Sequence, residues 1–569
     1  MRFAKTVTAL ALACSLALAI PTFAAPAAEE QAGRQEDLEL LYQTIRDRHP
    51  GPFTNTPEQE FLARIAQIEA RIDTEDSMSF GLDLQSLVAL IGDSHTTTNL
   101  NSILSSGHMF PVSVKWMDGD WVLYQVDASH QGALGQQVTS VNGFSMDQVQ
   151  EKMAPLISAD NEIKLRRQLS QVFGHQEIMV YCGLLKPEED LTLTLENGTS
   201  ITLSPLSMQD QSGWPEINGL SQQRQGSAPT DYQKGTYYFS LPLDSRTYYI
   251  QYNQCKEDPE LPMETFTAQV MADLEQGSYS VLLLDLRNNG GGSDGVIWPL
   301  LSVLRQEMDD GTEVVGLIGE ATFSSAIINA VELQEMGIPL VGEPASGSVD
   351  HFGSVSGFSL PNSGIQIGVS SKYIDLGTLL DADAGRGVES LEPDIAVPQT
   401  MADTLAGRDT AVEWLLAHPE TLEQREYPDA PLTRGRFVGL LYAAAGSPAA
   451  AAEAGFQDLL GIEWFLPAVN WAAETGVTGG TAEGAFAAAR YLTWQEAAVF
   501  LVRTVEALGL EPEAVRTAPL PDALAEGAWD QTALELAWEW GLLPEDAGSA
   551  AEIARVQGGA MADAFAALL

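Results

Sequence analysis

Ser280 to Gly295 reads S-V-L-L-L-D-L-R-N-N-G-G-G-S-D-G, and Glu313 to Ala330 reads E-V-V-G-L-I-G-E-A-T-F-S-S-A-I-I-N-A. Val281 to Leu284 is a short apolar run between turn residues, the pattern of a strand covered on both faces of a sheet. Asp285 and Arg287 mark its end. The loop Asn288 to Gly292 follows, and its missing side chains let backbone N–H groups approach a ligand. Val314 to Ile318 repeats the strand pattern, Gly319 to Thr322 reads as a turn, and Ser324 or Ser325 opens a helix carried by Ile327, Ile328, Val331 and Met336. A serine there lies in the field of free helix N-terminal amides, which favours developing negative charge. Taken alone, such a serine is more often an N-cap than a nucleophile.

The order of the motifs is more specific than any one of them. D-L-R-N-N-G-G-G is followed by T-F-S-S-A, V-G-E-P at Val341 to Pro344, L-P-N-S-G at Leu360 to Gly364 and L-E-P-D-I at Leu391 to Ile395. From about Asp37 to Val397 the chain resembles the C-terminal processing and tricorn-type serine peptidases, most closely the tricorn-like branch. The resemblance implies an α/β core with a mixed sheet and acyl transfer to a serine.

Composition bounds the rest. At 569 residues the chain calls for three or four domains. With 78 acidic and 29 basic residues the formal charge is −49, which argues against nucleic acid or an anionic membrane as partner. Residues 1–25 carry Arg2 and Lys5, an apolar run from Val7 to Ile20 and small residues up to Ala25, the pattern of a signal peptide. Export to an extracellular, wall-associated setting is the expected localisation, with no membrane span after signal removal. Cys14 lacks the leucine of a lipobox at Ala11. Cys182 and Cys255 remain as a disulfide or as two buried thiols. The seven histidines are scattered with no metal-ligand spacing, so neither metal nor cofactor is expected.

Four units are expected after the signal peptide, giving an α/β multidomain chain. Residues 30–105 read as a helical domain, with helices broken at His49 to Pro52 and continuing through Phe61 to Ile72 and Phe80 to Ile91. Residues 107–206 alternate as strands around a Met146 to Met153 helix; V-T-S-V-N-G-F-S at Val138 to Ser145 resembles a PDZ-like domain. Residues 230–425 form the peptidase-like core, and residues 426–569 are alanine-rich and repetitive. In the last unit Leu432-Thr433 and Leu492-Thr493 each precede a helix, sixty residues apart. With Trp464, Trp471, G-V-T-G at Gly476 to Gly479 and Trp529, this order resembles S-layer homology repeats. That resemblance implies a cell-wall polymer as partner, with Arg434 and Trp471 as contacts; a helical extension packed for stability is the alternative.

A neutral serine needs a base, a group that orients the base, and donors for the tetrahedral oxyanion. G-D-S-H-T at Gly92 to Thr96 resembles the histidine segment of the tricorn-like branch, implying His95 as general base and Ser94 as its neighbour. Ser324 keeps nearly the family's distance to G-E-P and is the implied nucleophile, with Ser325 the alternate. The oxyanion donors would be the amides of Ser325 and of a glycine in Gly290 to Gly292, Gly290 and Gly291 foremost. The processing branch uses a lysine base where this chain has Ser348, so a Ser/Lys dyad is excluded on that alignment. His351 is the second candidate base, or orients substrate. Glu389, upstream of Pro393-Asp394-Ile395, is the implied acidic member, with Asp383 a weaker match; Asp394 fixes the closing strand. Asp285 and Glu343 admit a glycosidase reading as an acid/base pair, against which the resemblance makes them structural. The expected function is an exported serine peptidase acting on peptide or protein; the alternative is a peptidase-fold protein without activity that binds peptide or wall polymer.

Overall fold

The computed structural model describes residues 28–220, 235–277, 279–309, 312–376, 390–418, 432–457, 459, 465–481, 484–488, 490–525, 530–548 and 553–569. Residues 1–25, the expected signal peptide, and Asp383, Glu389, Trp464 and Trp529 lie outside these residues.

The architecture is mixed α/β. Its central sheet has six strands in the order Tyr238–Pro242, Thr247–Tyr252, Val281–Asp285, Glu313–Ile318, Leu340–Gly342 and Ile395–Ala396. The first pair is antiparallel and every later pair parallel. The period-two geometry of a strand explains why the Val281 run has no polar face. Leu282 and Leu284 point into a core shared with the helices Met263–Gln276, Trp298–Asp309 and Ser325–Glu335. Val281 and Leu283 point the other way, onto Ala411, Val412 and Leu415 of the Thr410–Ala417 helix.

The N-terminal helices Ala28–Arg48, Glu58–Glu69 and Ser77–Ala89 share one hydrophobic cluster with the strands Val112–Met117, Asp120–Asp127, Val138–Val141, Leu191–Leu195 and Ser200–Leu203. This stretch is less purely β than its alternation predicts. Glu162–Val172 is a helix capped by Asn161, whose side chain accepts from the Lys164 amide, and Gln176–Tyr181 is a second. The link from this half to the core is a three-stranded sheet: Thr97–Thr98 pairs with Gln366–Ile374, which pairs with His351–Ser359. It brings His95 and His351 to one place although more than 250 residues separate them.

In the C-terminal unit, helices begin at Arg434 and Trp494, capped by Thr433 and Thr493, whose hydroxyls accept from the amides of Arg436 and Glu496. A third copy of this turn, which the sequence reading missed, begins the Arg555–Ala566 helix at Ile553-Ala554. The Leu432 amide bonds to Ile553 O at 2.7 Å and the Leu492 amide to Leu432 O at 2.8 Å, so the three turns are joined at the centre of the unit. The threonine hydroxyl that marks the other two is an alanine here, which hid the repeat.

Candidate active site

Ser324 sits between the Glu313–Ile318 strand and the Ser325–Glu335 helix with φ 56° and ψ −129°, a conformation that side-chain-bearing residues rarely adopt. Its side chain makes no capping hydrogen bond. The strain is held from several sides. The Phe323 amide donates to Asn289 O at 3.0 Å, and the Ile327 amide closes the first helical turn on Ser324 O at 2.8 Å. Thr322 Oγ1, fully buried, donates to Leu286 O and accepts from the Gly319 amide.

The glycine loop lies directly against this turn. A Cβ on Gly291 would come 2.7 Å from Ser324 Cβ, and one on Gly292 would come 2.1 Å from Cys255 O, so side chains are excluded at both positions. Asn289, buried completely, pins the loop: its Nδ2 donates to Tyr252 O, and its Oδ1 accepts from the Gly291 amide at 2.9 Å. The Gly291 amide, an expected oxyanion donor, is therefore already committed. Gly292 lines a cavity of about 320 Å³ together with Ser324, Ser325 and His95, whereas Gly290 and Gly291 do not line it. Ser325 Oγ donates to Gly292 O at 2.9 Å, so that hydroxyl fixes the loop and leaves its backbone amide at the helix start.

His95 faces the same cavity with its side chain 8% exposed. The ring stacks on Phe323 at 4.4 Å and on His351 at 5.2 Å, and neither ring nitrogen has a hydrogen-bond partner among the described residues. Burial, then the neighbouring His351 and Lys164, pull its pKa down to about 3 against the attraction of Asp93. The ring is thus neutral. Asp93 Oδ1 lies 3.9 Å from His95 Nδ1 but accepts from the His95 backbone amide, and Oδ2 takes Thr96, Ser370 and His49. Burial opposes ionisation of Asp93, but those hydrogen bonds hold its pKa below the usual value. Asp93 orders the segment that carries His95, a role the sequence reading did not assign.

Ser94 turns away from this pair: its hydroxyl donates to Asp160 Oδ1 at 2.6 Å and accepts from the Asp160 amide. His351 has its Nδ1 2.9 Å from Val349 O, which fixes the proton there, and it lines a second cavity of about 470 Å³ with Asp93, Asp160 and Ser348. Asp285 cannot act in a carboxylate pair. It is sealed by Tyr249 Oη at 2.6 Å and by Arg287, which also forms a double contact with Asp409. Burial pushes Glu343 up to about 7, with Lys115 opposing. Asp394 accepts from the Leu340 amide at 2.8 Å and so fixes the sheet as expected. Arg434 and Trp471 are not surface contacts: both are 3% exposed, Arg434 being paired with Glu496 at 2.7 Å and stacked on Phe486 and Phe500. Cys182 and Cys255 are free thiols. Among the described residues no cluster of metal-ligating side chains occurs, and no helix is long and apolar enough to cross a membrane.

No protein family and no curated protein matches this chain. Among solved structures, mature CPAF aligns with a TM-score of 0.48 at 13% identity, over 70% of this chain and 99% of that one. The photosystem II D1 C-terminal processing protease aligns at 0.32 and 14%, over 64% and 93%. The tricorn protease aligns at 0.32 and 14%, over 69% of this chain and 37% of its own.

Proposed function

We propose that the protein is a serine hydrolase that cleaves peptide bonds through Ser324 with His95 as general base. The observation that carries this reading is the Ser324 turn: a serine held in a strained conformation, its hydroxyl unused as a cap, in one cavity with a buried neutral imidazole. Strain of this kind persists only where surrounding bonds enforce it, and it concentrates at sites of chemistry.

In the proposed reaction Ser324 Oγ attacks the substrate carbonyl carbon and its proton passes to a ring nitrogen of His95. The oxyanion is met by the amides of Gly292 and Ser325 and by the field of the helix start. His95 then returns the proton to the leaving amine, and water releases the acyl group by the reverse sequence. Ser325 supports the reaction through its amide, because its hydroxyl is bound to the loop. Glu389 remains the proposed acidic member.

The second reading, a peptide-binding protein without turnover, draws on the absence of a bond between His95 and an orienting carboxylate among the described residues. Export is proposed from the pattern of residues 1–25. Wall attachment keeps the support of the repeat pattern but not of Arg434 or Trp471, whose side chains are core.

A fluorophosphonate probe separates the two readings, since an unactivated serine does not react. Labelling of the wild type and of Ser325→Ala, with none in Ser324→Ala and a large loss in His95→Ala, is the expected result. A folded wild type that never labels contradicts the hydrolase reading.

A further inference from the structure

Lys164 and Arg167 are three residues apart on the Glu162–Val172 helix and so share a face of it. Lys164 is 4% exposed, with Nζ 3.4 Å from the ring centroid of Phe323, the residue before Ser324. His95 stacks on that same ring. Arg167 feels Glu320 of the same turn, but Glu320 is bonded to Lys115 at 2.9 Å. Among the described residues neither Lys164 nor Arg167 has an ion-pair partner.

Among the buried basic side chains of the described residues Lys164 is the exception, since Arg34 and Arg434 are paired. Arg34, Arg64, Lys115, Arg287, Arg434 and Arg436 each hold a carboxylate. The carboxylates that attract Lys164 are engaged elsewhere: Asp160 by Ser94 and the Ser348 amide, Asp93 by its four donors. A buried ammonium without a counter-ion is costly, and a ring face offsets only part of that cost.

We propose that Lys164 and Arg167 form a subsite, beside Phe323, for a carboxylate of the bound peptide, either its C-terminal group or an acidic side chain. The proposal rests on the hydrolase reading only in calling the bound peptide a substrate. Burial and the neighbouring Arg167 already pull Lys164 down to about 8, and an incoming carboxylate opposes both. The same anion offsets the Lys164 charge that helps hold His95 down, which makes His95 a stronger base when the subsite is filled.

The test is calorimetric titration of the full chain carrying Ser324→Ala with two matched pairs of acetylated tetrapeptides. One pair is tetra-alanine with a free or an amidated C-terminus; the other is amidated Ala-Glu-Ala-Ala against Ala-Gln-Ala-Ala. The carboxylate member of at least one pair is expected to bind about tenfold tighter or more, and the pair that discriminates names the source. The preference should vanish in Lys164→Met, shrink in Arg167→Gln and persist in Lys164→Arg. Arg167 is part-exposed, so Arg167→Gln carries the test should Lys164→Met not fold. Equal binding within both pairs, no binding of either carboxylate peptide at millimolar concentration, or a preference that survives both neutralising changes overturns the proposal. Failure of the wild type to label with fluorophosphonate sinks the hydrolase reading and leaves this result standing.

Discussion

Two helix starts in this molecule present the same sequence signal, a hydroxyl residue before an apolar periodic run, and use it differently. Thr433 and Thr493 have extended backbones, φ −95° and −91°, and their hydroxyls accept from the amides three residues on. Ser324 has φ 56°, and its hydroxyl caps nothing. The first geometry stabilises a helix; the second leaves a hydroxyl free at the price of backbone strain. The proposal rests on the strained turn with its uncapped hydroxyl, since a hydroxyl before a helix by itself carries no such argument.

That contrast can be broken most sharply at Ser324. Ser324→Ala should lower fluorophosphonate labelling on the order of a thousandfold or more without loss of thermal stability, and Ser324→Gly should raise the melting temperature while remaining unreactive, because glycine tolerates positive φ. A melting temperature that falls in Ser324→Gly would show that the hydroxyl has a structural role after all. At the C-terminal unit the effects should be on stability alone. Arg434→Ala removes a buried guanidinium packed on Phe486 and Phe500, while Glu496 keeps Arg490, and should destabilise that unit by roughly 1–3 kcal/mol in denaturant titration, with labelling at Ser324 retained. Between the two regions, Asn289→Ala frees the glycine loop and should cost about 2 kcal/mol and slow labelling as well. Thr493→Ala should cost about 1 kcal/mol and leave labelling unchanged.

Acid sharpens the comparison further. His95 is held down to about 3 in the folded chain, so the unfolded chain takes up its proton first as the pH falls below the ordinary histidine range. Stability from this group should fall with decreasing pH from about 6.5 towards 3, and His95→Gln should flatten that limb. For the same reason the free protein's labelling rate should show no histidine step between pH 5 and 8.

The sheet was legible because Val281 to Leu284 and Val314 to Ile318 are apolar throughout, as double-sided burial demands. The order of motifs singled out Ser324, His95 and the glycine loop, and the structure places Ser324, His95 and Gly292 around one cavity. The backbone angle of Ser324 was not, since it comes from Asn289 and Gly291 across the fold. The commitment of the Gly291 amide to Asn289 was equally hidden, and it is Gly292 that lines the cavity. Arg434 and Trp471 misled because an arginine or tryptophan in a repeat reads the same whether it faces a polymer or a core. Lys164 gave no signal at all, as its helix lay in a stretch that alternates like strands.

The most direct measurement is mass-spectrometric mapping of the fluorophosphonate adduct on the full-length protein. One adduct on the peptide containing Ser324, absent in Ser324→Ala and unmoved in Ser325→Ala, is the expected result. An adduct on Ser325, or none on a folded chain, would contradict the claim that the strained turn exists to present the Ser324 hydroxyl.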